Sequence, residues 1–267
     1  MFKDKVVLIT GGSKGIGRET ARLFLKDEAV VYICGRNQEA LDAAAHDLGG
    51  SIHTITADVS DPGDCASMIE RIKSEASRLD ILINNAGMSM RGNIEQLSPK
   101  VIHDMFSINT MGAVYLTTYA LPLIRESRGS VVFISSLSAF YGLPGISVYG
   151  ASKRALRAIA ESLRAETCDD GVHVGLVYVG FTENDPDKQV YDAEGTLIGL
   201  NRPRSSQTQA ETASAIVSSI RKRKNISVLT RLGKLSYLMF RLLPNTTGRI
   251  AVSSAKKSSM YGVEKDG

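Results

Sequence analysis

Residues 6–26 read VVLITGGSKGIGRETARLFLK, and three patterns follow one another within them. Val6 to Thr10 is an unbroken apolar run, as expected for a strand buried on both faces of a sheet. Glycines then recur at 11, 12, 15 and 17. From Glu19 onward the apolar residues return at helical spacing. A strand, glycine loop and helix in this order have a physical use. Glycine lets backbone N–H groups approach a pyrophosphate closely, and a helix N-terminus favours negative charge. The spacing is Thr10-Gly11-x-x-x-Gly15-x-Gly17, not the Gly-x-Gly-x-x-Gly of the common dinucleotide fingerprint. Alone, such a loop could be no more than a tight turn, so the rest of the chain decides.

The rest repeats the unit. Apolar runs at 30–34, 51–57, 79–83, 130–135, 172–178 and 226–229 read as strands. Helical periodicity fills 38–48, 61–78, 98–125, 149–166 and 210–222. Strands alternating with helices predict a single α/β domain over 1–230, a Rossmann-like doubly wound parallel sheet of about seven strands flanked by helices. Residues 180–206 are polar and lack periodicity. A segment of that length after the sixth strand is expected to close over the ligand edge as a lid.

Composition narrows the function classes. Hydrophobic residues are 43% and charged residues 22%, ordinary for a soluble domain. A net charge of +4 is too mild to point to nucleic acid. Cys34, Cys65 and Cys168 are far apart and the histidines are scattered, so no metal site is expected. Unpaired cysteines fit a reducing compartment. With no signal-like or membrane-spanning apolar run, the expected location is cytoplasmic.

Tyr149 and Lys153 stand four apart in YGASKRALRAIAESLRAE, so helical spacing puts phenol and ammonium on one face. A tyrosine of pKa about 10 is a poor acid–base group at neutral pH. A cation within roughly 4–6 Å favours phenolate and makes proton exchange with a substrate oxygen feasible. Tyr-x-x-x-Lys also arises by chance on amphipathic helices. Other signals sit at strand ends. Gly35-Arg36-Asn37 follows the second strand without an acidic residue; Arg36, with Lys14, suits a 2′-phosphate and argues for NADP over NAD. Asp58-Val59 ends the third strand, where Asp58 could accept from an adenine amino group or finish a turn. Asn84-Asn85-Ala86-Gly87 follows the fourth, with small residues that admit a close ligand. Asn109 lies inside a helical run, where asparagine is an indifferent former; it marks a used side chain or a kink near Gly112. Ser136 ends the fifth strand, at the edge where open parallel sheets bind ligands.

Together these features resemble the short-chain dehydrogenase/reductases over roughly 3–230: the glycine loop, Asn84-Asn85-Ala86-Gly87, Ser136 thirteen residues before the tyrosine, and Tyr149-x-x-x-Lys153. The resemblance implies hydride transfer between NAD(P) and a ketone, aldehyde or alcohol. Tyr149 would exchange the proton, Ser136 hold the substrate oxygen, Lys153 tune the tyrosine and bind ribose, and Asn109 keep a water beside Lys153. It implies cofactor contacts along Gly11, Ser13, Lys14, Gly15, Ile16, Gly17, Arg36, Asp58, Val59, Asn85, Ala86, Gly87, Tyr149, Lys153, Gly180 and Thr182, and a homodimer or homotetramer. One part departs from the family pattern. Val179 stands where Pro commonly precedes Gly180, and the fourth residue after Gly180 is Asn184, not threonine. Thr182, Asn184 or a backbone group would then meet the carboxamide.

The alternative is a non-catalytic NADPH-binding sensor or scaffold, which would have no need of a tuned phenol. Phe140, Tyr141, Leu143, Tyr191, Leu197 and Ile198 are expected to line an apolar substrate pocket. The extension, 231–267, carries a stripe of Leu232, Leu235, Leu238, Met239, Leu242 and Leu243 with Lys234 and Arg241 beside it. Such a helix packs on its own core or a second subunit, or touches a membrane surface through 231–244.

Overall fold

The computed structural model describes residues 1–183, 188–200 and 207–257, with no side-chain account of 255–257. Asn184, the rest of 184–187, and 201–206 of the expected lid lie outside the described residues.

Alternation begins as expected: β1 (Val6–Thr10), α1 (Gly15–Lys26), β2 (Val30–Gly35), α2 (Gln38–Leu48), β3 (Ile52–Thr56), α3 (Pro62–Ala76) and β4 (Ile81–Asn84). The Asp61 side chain caps α3 by accepting from Asp64 N–H, and Pro62 starts its first turn, where a missing N–H costs nothing. After β4 come α4 (Pro99–Phe106), α5 (Gly112–Ser127), β5 (Ser130–Ser136), α6 (Ser147–Glu166) and β6 (His173–Val179). The single helix expected over 98–125 is two helices joined by a π-helical turn, Ser107–Met111. One extra residue in that turn places Asn109 inward and leaves the apolar rhythm on either side unchanged, so periodicity missed it.

Seven strands form one parallel sheet in the order β3-β2-β1-β4-β5-β6-β9, where β9 is Ile226–Val228. The chain winds outward from β1 through β3, then returns to the other side of β1 at β4. The order therefore reverses between β1 and β4, and the loops after these strands flank a crevice where such sheets take ligands. Residues of β1 alternate between two cores: Val6 and Leu8 join one face, Val7 and Ile9 the other, as the period of two requires. Both faces are covered by helices, which accounts for the unbroken apolar strands.

The region expected to be an irregular lid contains a hairpin, β7 (Gln189–Tyr191) with β8 (Leu197–Gly199). Three-residue strands are too short for an alternation signal. Asp192 closes the turn: its carboxylate accepts from the N–H groups of Glu194, Gly195 and Thr196. β7 pairs alongside Met90, and Arg91 N–H donates to Tyr191 O at 2.7 Å. Helix α7 (Gln209–Arg221) leads to β9 and the tail, α8 (Arg231–Leu242) and α9 (Pro244–Lys257). Thr208 and Glu211 form a capping box at the start of α7, satisfying two otherwise orphan donors.

The tail removes one of its three alternatives. The leucine stripe of α8 does not pack on this chain's core: Leu232, Leu235, Leu238, Leu242 and Leu243 are exposed. Gly233, Tyr237 and Phe240 form the inner face, with the aromatic pair against Phe140 at centroid distances of 5.2 and 6.0 Å. Gly233 permits close approach, since a Cβ there would stand 2.6 Å from Thr230 Oγ1 and 3.1 Å from Leu137 Cδ1. Among the described residues no helix is long and apolar enough to cross a membrane.

Candidate active site

The crevice is stitched together by Thr10. Its hydroxyl accepts from the N–H groups of Asn85 and Ala86 at 2.9 and 2.8 Å. Asn85 answers by donating its side-chain amide to Thr10 O at 2.8 Å. The loops after β1 and β4 are thus one unit. Gly17 sits inside it: a Cβ there would stand 2.3 Å from Gly11 O and 2.7 Å from Asn85 Nδ2. Gly11 and Gly15 have φ of +65° and +61°, in the region that favours glycine.

The residues at the crevice suit a dinucleotide. Among the described residues no side chain caps α1 at Lys14, and no acid occupies its first turn, which leaves the positive end of the helix dipole able to receive an anion. Ser13 lies beside Gly35 at the end of β2, Lys14 is exposed, and Ile16 packs on the core below. Arg36 is exposed and 3.9 Å from Asp58 Oδ2. Asp58 also accepts from Ser60 N–H and hydroxyl, so it finishes a turn while its other oxygen faces Arg36. Val59 is buried, its carbonyl under Gly112.

Further along the edge, the π turn brings Asn109 to Gly87 and Lys153. Asn109 is 1% exposed. Its Oδ1 accepts from Met88 N–H at 2.9 Å, and its Nδ2 donates to Met88 O at 2.8 Å and Ser152 Oγ at 3.1 Å. Ser152, fully buried, in turn donates to Tyr149 O at 2.9 Å. Thr110 donates to Ser152 O, so the π turn and α6 are bonded at two adjacent residues. The motifs did not single out Ser152. Its signal was a serine on a buried helix face, directly before the lysine.

Lys153 is buried, and Nζ donates to Ile134 O at 3.1 Å. Burial, and then the like charge of Lys188, pull the Lys153 ammonium down to about 8. At pH 7 the protonated form still leads by about tenfold, so a cation remains one helical turn from Tyr149. Tyr149 is half-buried against a third apolar cluster that includes Met90, Val101, Met105, Val148 and Tyr191. Three serines could have served at the end of β5, and the structure separates two of them. Ser135 is buried with its hydroxyl donating to Lys153 O at 2.9 Å, whereas Ser136 is half-buried at the strand's carboxyl end and accepts from Ser138 N–H.

Other expected residues are placed differently. Thr182 is buried, its hydroxyl 3.2 Å from that of Thr212 on α7. Gly180 lies under Thr230 and Leu137. Of the expected pocket wall, Tyr191 and Leu143 belong to the third cluster. Leu197 and Ile198 are exposed, 47% and 38%. Phe140 is 2% exposed within the main core, and Tyr141 donates its hydroxyl to Ser236 O at 3.0 Å. These two rings seat α8 instead of lining a pocket, because α8 covers the surface they would otherwise present.

No group of three or more potential metal-ligating side chains occurs among the described residues. The short chain dehydrogenase family model matches residues 5–195. Dehydrogenase/reductase SDR family member 7B of Bos taurus is 34% identical over 268 residues, covering 96% of this chain and 82% of that protein. 11-beta-hydroxysteroid dehydrogenase 1A of Arabidopsis thaliana is 39% identical over 203 residues, 73% of this chain and 57% of that one. The crystal structure of a short-chain dehydrogenase from Streptomyces avermitilis matches with a TM-score of 0.79 at 26% identity, over 98% of this chain and 100% of that chain. A doubly wound sheet, a crevice built for a dinucleotide and these likenesses agree: the chain belongs to the short-chain dehydrogenase family and is an NAD(P)-dependent oxidoreductase.

Proposed function

We propose that the protein is an NADP-dependent carbonyl reductase, or in the reverse direction an alcohol dehydrogenase, acting on a hydrophobic substrate. The observation that carries this is the meeting of Asn109 and Lys153 over Gly87, one helical turn from a half-buried Tyr149 that borders an apolar cluster. When bound, the dinucleotide supplies hydride to the carbonyl carbon, or takes it from the alcohol carbon.

The chain's own groups do the rest. The N–H groups between Gly11 and Gly17 hold the pyrophosphate, and Lys14 and Arg36 the 2′-phosphate. No acid stands at 35–37 to bind a ribose 2′-hydroxyl instead. Asp58 and Val59 border the adenine, and Asn85 to Gly87 the middle of the cofactor. Gly180 and the backbone of Thr182, whose hydroxyl is turned to Thr212, serve its carboxamide end. Tyr149 gives its proton to the carbonyl oxygen as that oxygen gains charge, and the Lys153 cation favours the phenolate left behind. Ser136 orients the oxygen by a hydrogen bond. Asn109, with both ends of its amide engaged, fixes the wall beside Lys153.

A hydrophobic substrate is supported by the methionines and Tyr191 around Tyr149, and by the steroid dehydrogenase name of the Arabidopsis relatives. The hairpin β7–β8 acts as a lid over this edge. We place the enzyme in the cytoplasm as a homodimer or homotetramer, an assembly supported by exposed Ile102, Phe106, Met111 and Tyr119 along α4, the π turn and α5.

Tyr149→Phe tests the proposal. NADPH binding should persist while ketone-dependent NADPH oxidation falls at least about 100-fold, the low end for loss of a general acid. Undiminished turnover would remove Tyr149 from the chemistry.

A further inference from the structure

Among the described residues, the outer face of α8 has no partner within the chain. Leu232 is 74% exposed, Leu242 66% and Leu235 57%, with Leu238 and Leu243 at 53% and 50%; Ile250 on α9 is exposed as well. Scattered apolar residues on a surface mean little, but a contiguous row of them marks a contact. The inner face is already held: Tyr237 and Phe240 pack on Phe140, Tyr141 donates to Ser236 O, and Thr230 caps the helix by accepting from Gly233 N–H at 2.8 Å. The leucines therefore do not fasten the helix to the domain.

Charge identifies the occupant. Residues 231–257 hold six Lys and Arg and no Asp or Glu, more positive charge than the +4 of the whole chain. Arg231, Lys234, Arg241 and Arg249 are exposed around the leucines. Two copies meeting through this face would bring cation against cation. An apolar stripe rimmed by cations alone suits a bilayer of anionic headgroups, with leucines in the acyl boundary and basic groups at the phosphates.

The root of the helix that bears this face also adjoins the candidate active site. Thr230 and Gly233, at the root of α8, pack on Leu137, which directly follows Ser136; Gly180 lies under the same two residues, Thr230 and Leu137. We propose that α8, continued by α9, docks the enzyme on an anionic lipid surface and sets the Ser136 edge of the site against it, so that the substrate is a ketone or alcohol dissolved in the membrane. The substrate half of this proposal rests on the carbonyl-reductase reading; the docking half does not.

Flotation of the full chain with vesicles tests the docking. The chain should rise with phosphatidylcholine vesicles containing phosphatidylserine, and less with phosphatidylcholine alone or in high salt. Replacing Leu235, Leu238 and Leu242 together by serine should abolish flotation. Arg231→Glu with Lys234→Glu should abolish the preference for anionic vesicles. NADPH oxidation is then followed with cyclohexanone in water and with a long-chain methyl ketone dissolved in the vesicles. The serine variant should keep its cyclohexanone rate and lose at least about tenfold on the vesicle-borne ketone, a loss of interfacial binding rather than of chemistry. Failure of the wild type to float, or equal flotation of the serine variant, overturns the docking. A serine variant that turns a sedimenting dimer into a monomer and floats as before would assign the face to a second copy. Flotation without reduction of either ketone would leave docking intact and defeat the catalytic reading together with membrane delivery.

Discussion

Asn109 Oδ1 and Lys153 Nζ converge on Gly87: each lies 2.9 Å from the point where a Cβ on residue 87 would stand. The asparagine is held there by bonds to Met88 and Ser152, the ammonium by its bond to Ile134 O. Residue 87 thus has no room for even a methyl group unless one of them moves.

Gly87→Ala follows from this geometry. Asn109 is fixed at both ends of its amide, so the flexible end of Lys153 is the group that gives way. The fold should survive, with a melting temperature within a few degrees of the parent, while kcat falls on the order of ten- to a hundredfold from the displaced ammonium. Full activity in the alanine variant would show that the position of Lys153 is not critical.

Lys153 carries a pH signature. Its ammonium titrates near 8 in the folded chain, against 10.5 as the unperturbed value. The native state therefore binds fewer protons than the unfolded state between those two pH values, and stability rises with pH across them. Below about 8 the buried charge costs on the order of 3 kcal/mol. Lys153→Met should raise the melting temperature at pH 7, by an amount that shrinks towards pH 10, while removing activity. In the wild type, reduction should weaken as pH rises through about 8 and the cation is lost. A flat stability difference between pH 7 and 10 would contradict the assignment.

Cofactor choice depends on Arg36. It stands 3.9 Å from Asp58 and is 57% exposed at the side chain. Removing it takes away a cation and also leaves the Asp58 charge unopposed near the expected 2′-phosphate. Arg36→Ala should weaken NADPH binding at least about tenfold, since one charge-assisted contact to phosphate is worth roughly 1.5–3 kcal/mol. NADH binding should change little. Fluorescence titration of both cofactors decides it, and equal losses would move the phosphate elsewhere.

What could be seen in the sequence was what local chemistry enforces. The apolar runs of β1, β2, β5 and β6 could only be strands buried on both faces, and seven of them in alternation with helices left one sheet architecture. Gly11, Gly17, Asn85 and Ser136 were visible because their positions at strand ends tied residue type to a task. The π turn at 107–111 was not, since inserting one residue leaves the flanking periodicity intact; only the odd presence of Asn109 pointed to it. The hairpin at 189–199 was hidden by strands of three residues. The tail misled for another reason. Its leucines outnumber its aromatics, yet Tyr237 and Phe240 bury more area per residue, and Gly233 lets their helix come close. Number favoured the leucines; shape favoured the rings.

The Thr10 hydroxyl, gripping the N–H groups of Asn85 and Ala86, has a bearing on speed as well as on shape. Because the two walls of the crevice are tied before any guest arrives, the entropic toll of arranging them is met while the chain folds, not when the nucleotide lands. Association should then be a single rapid phase whose rate climbs linearly with nucleotide concentration, with no slow isomerisation behind it.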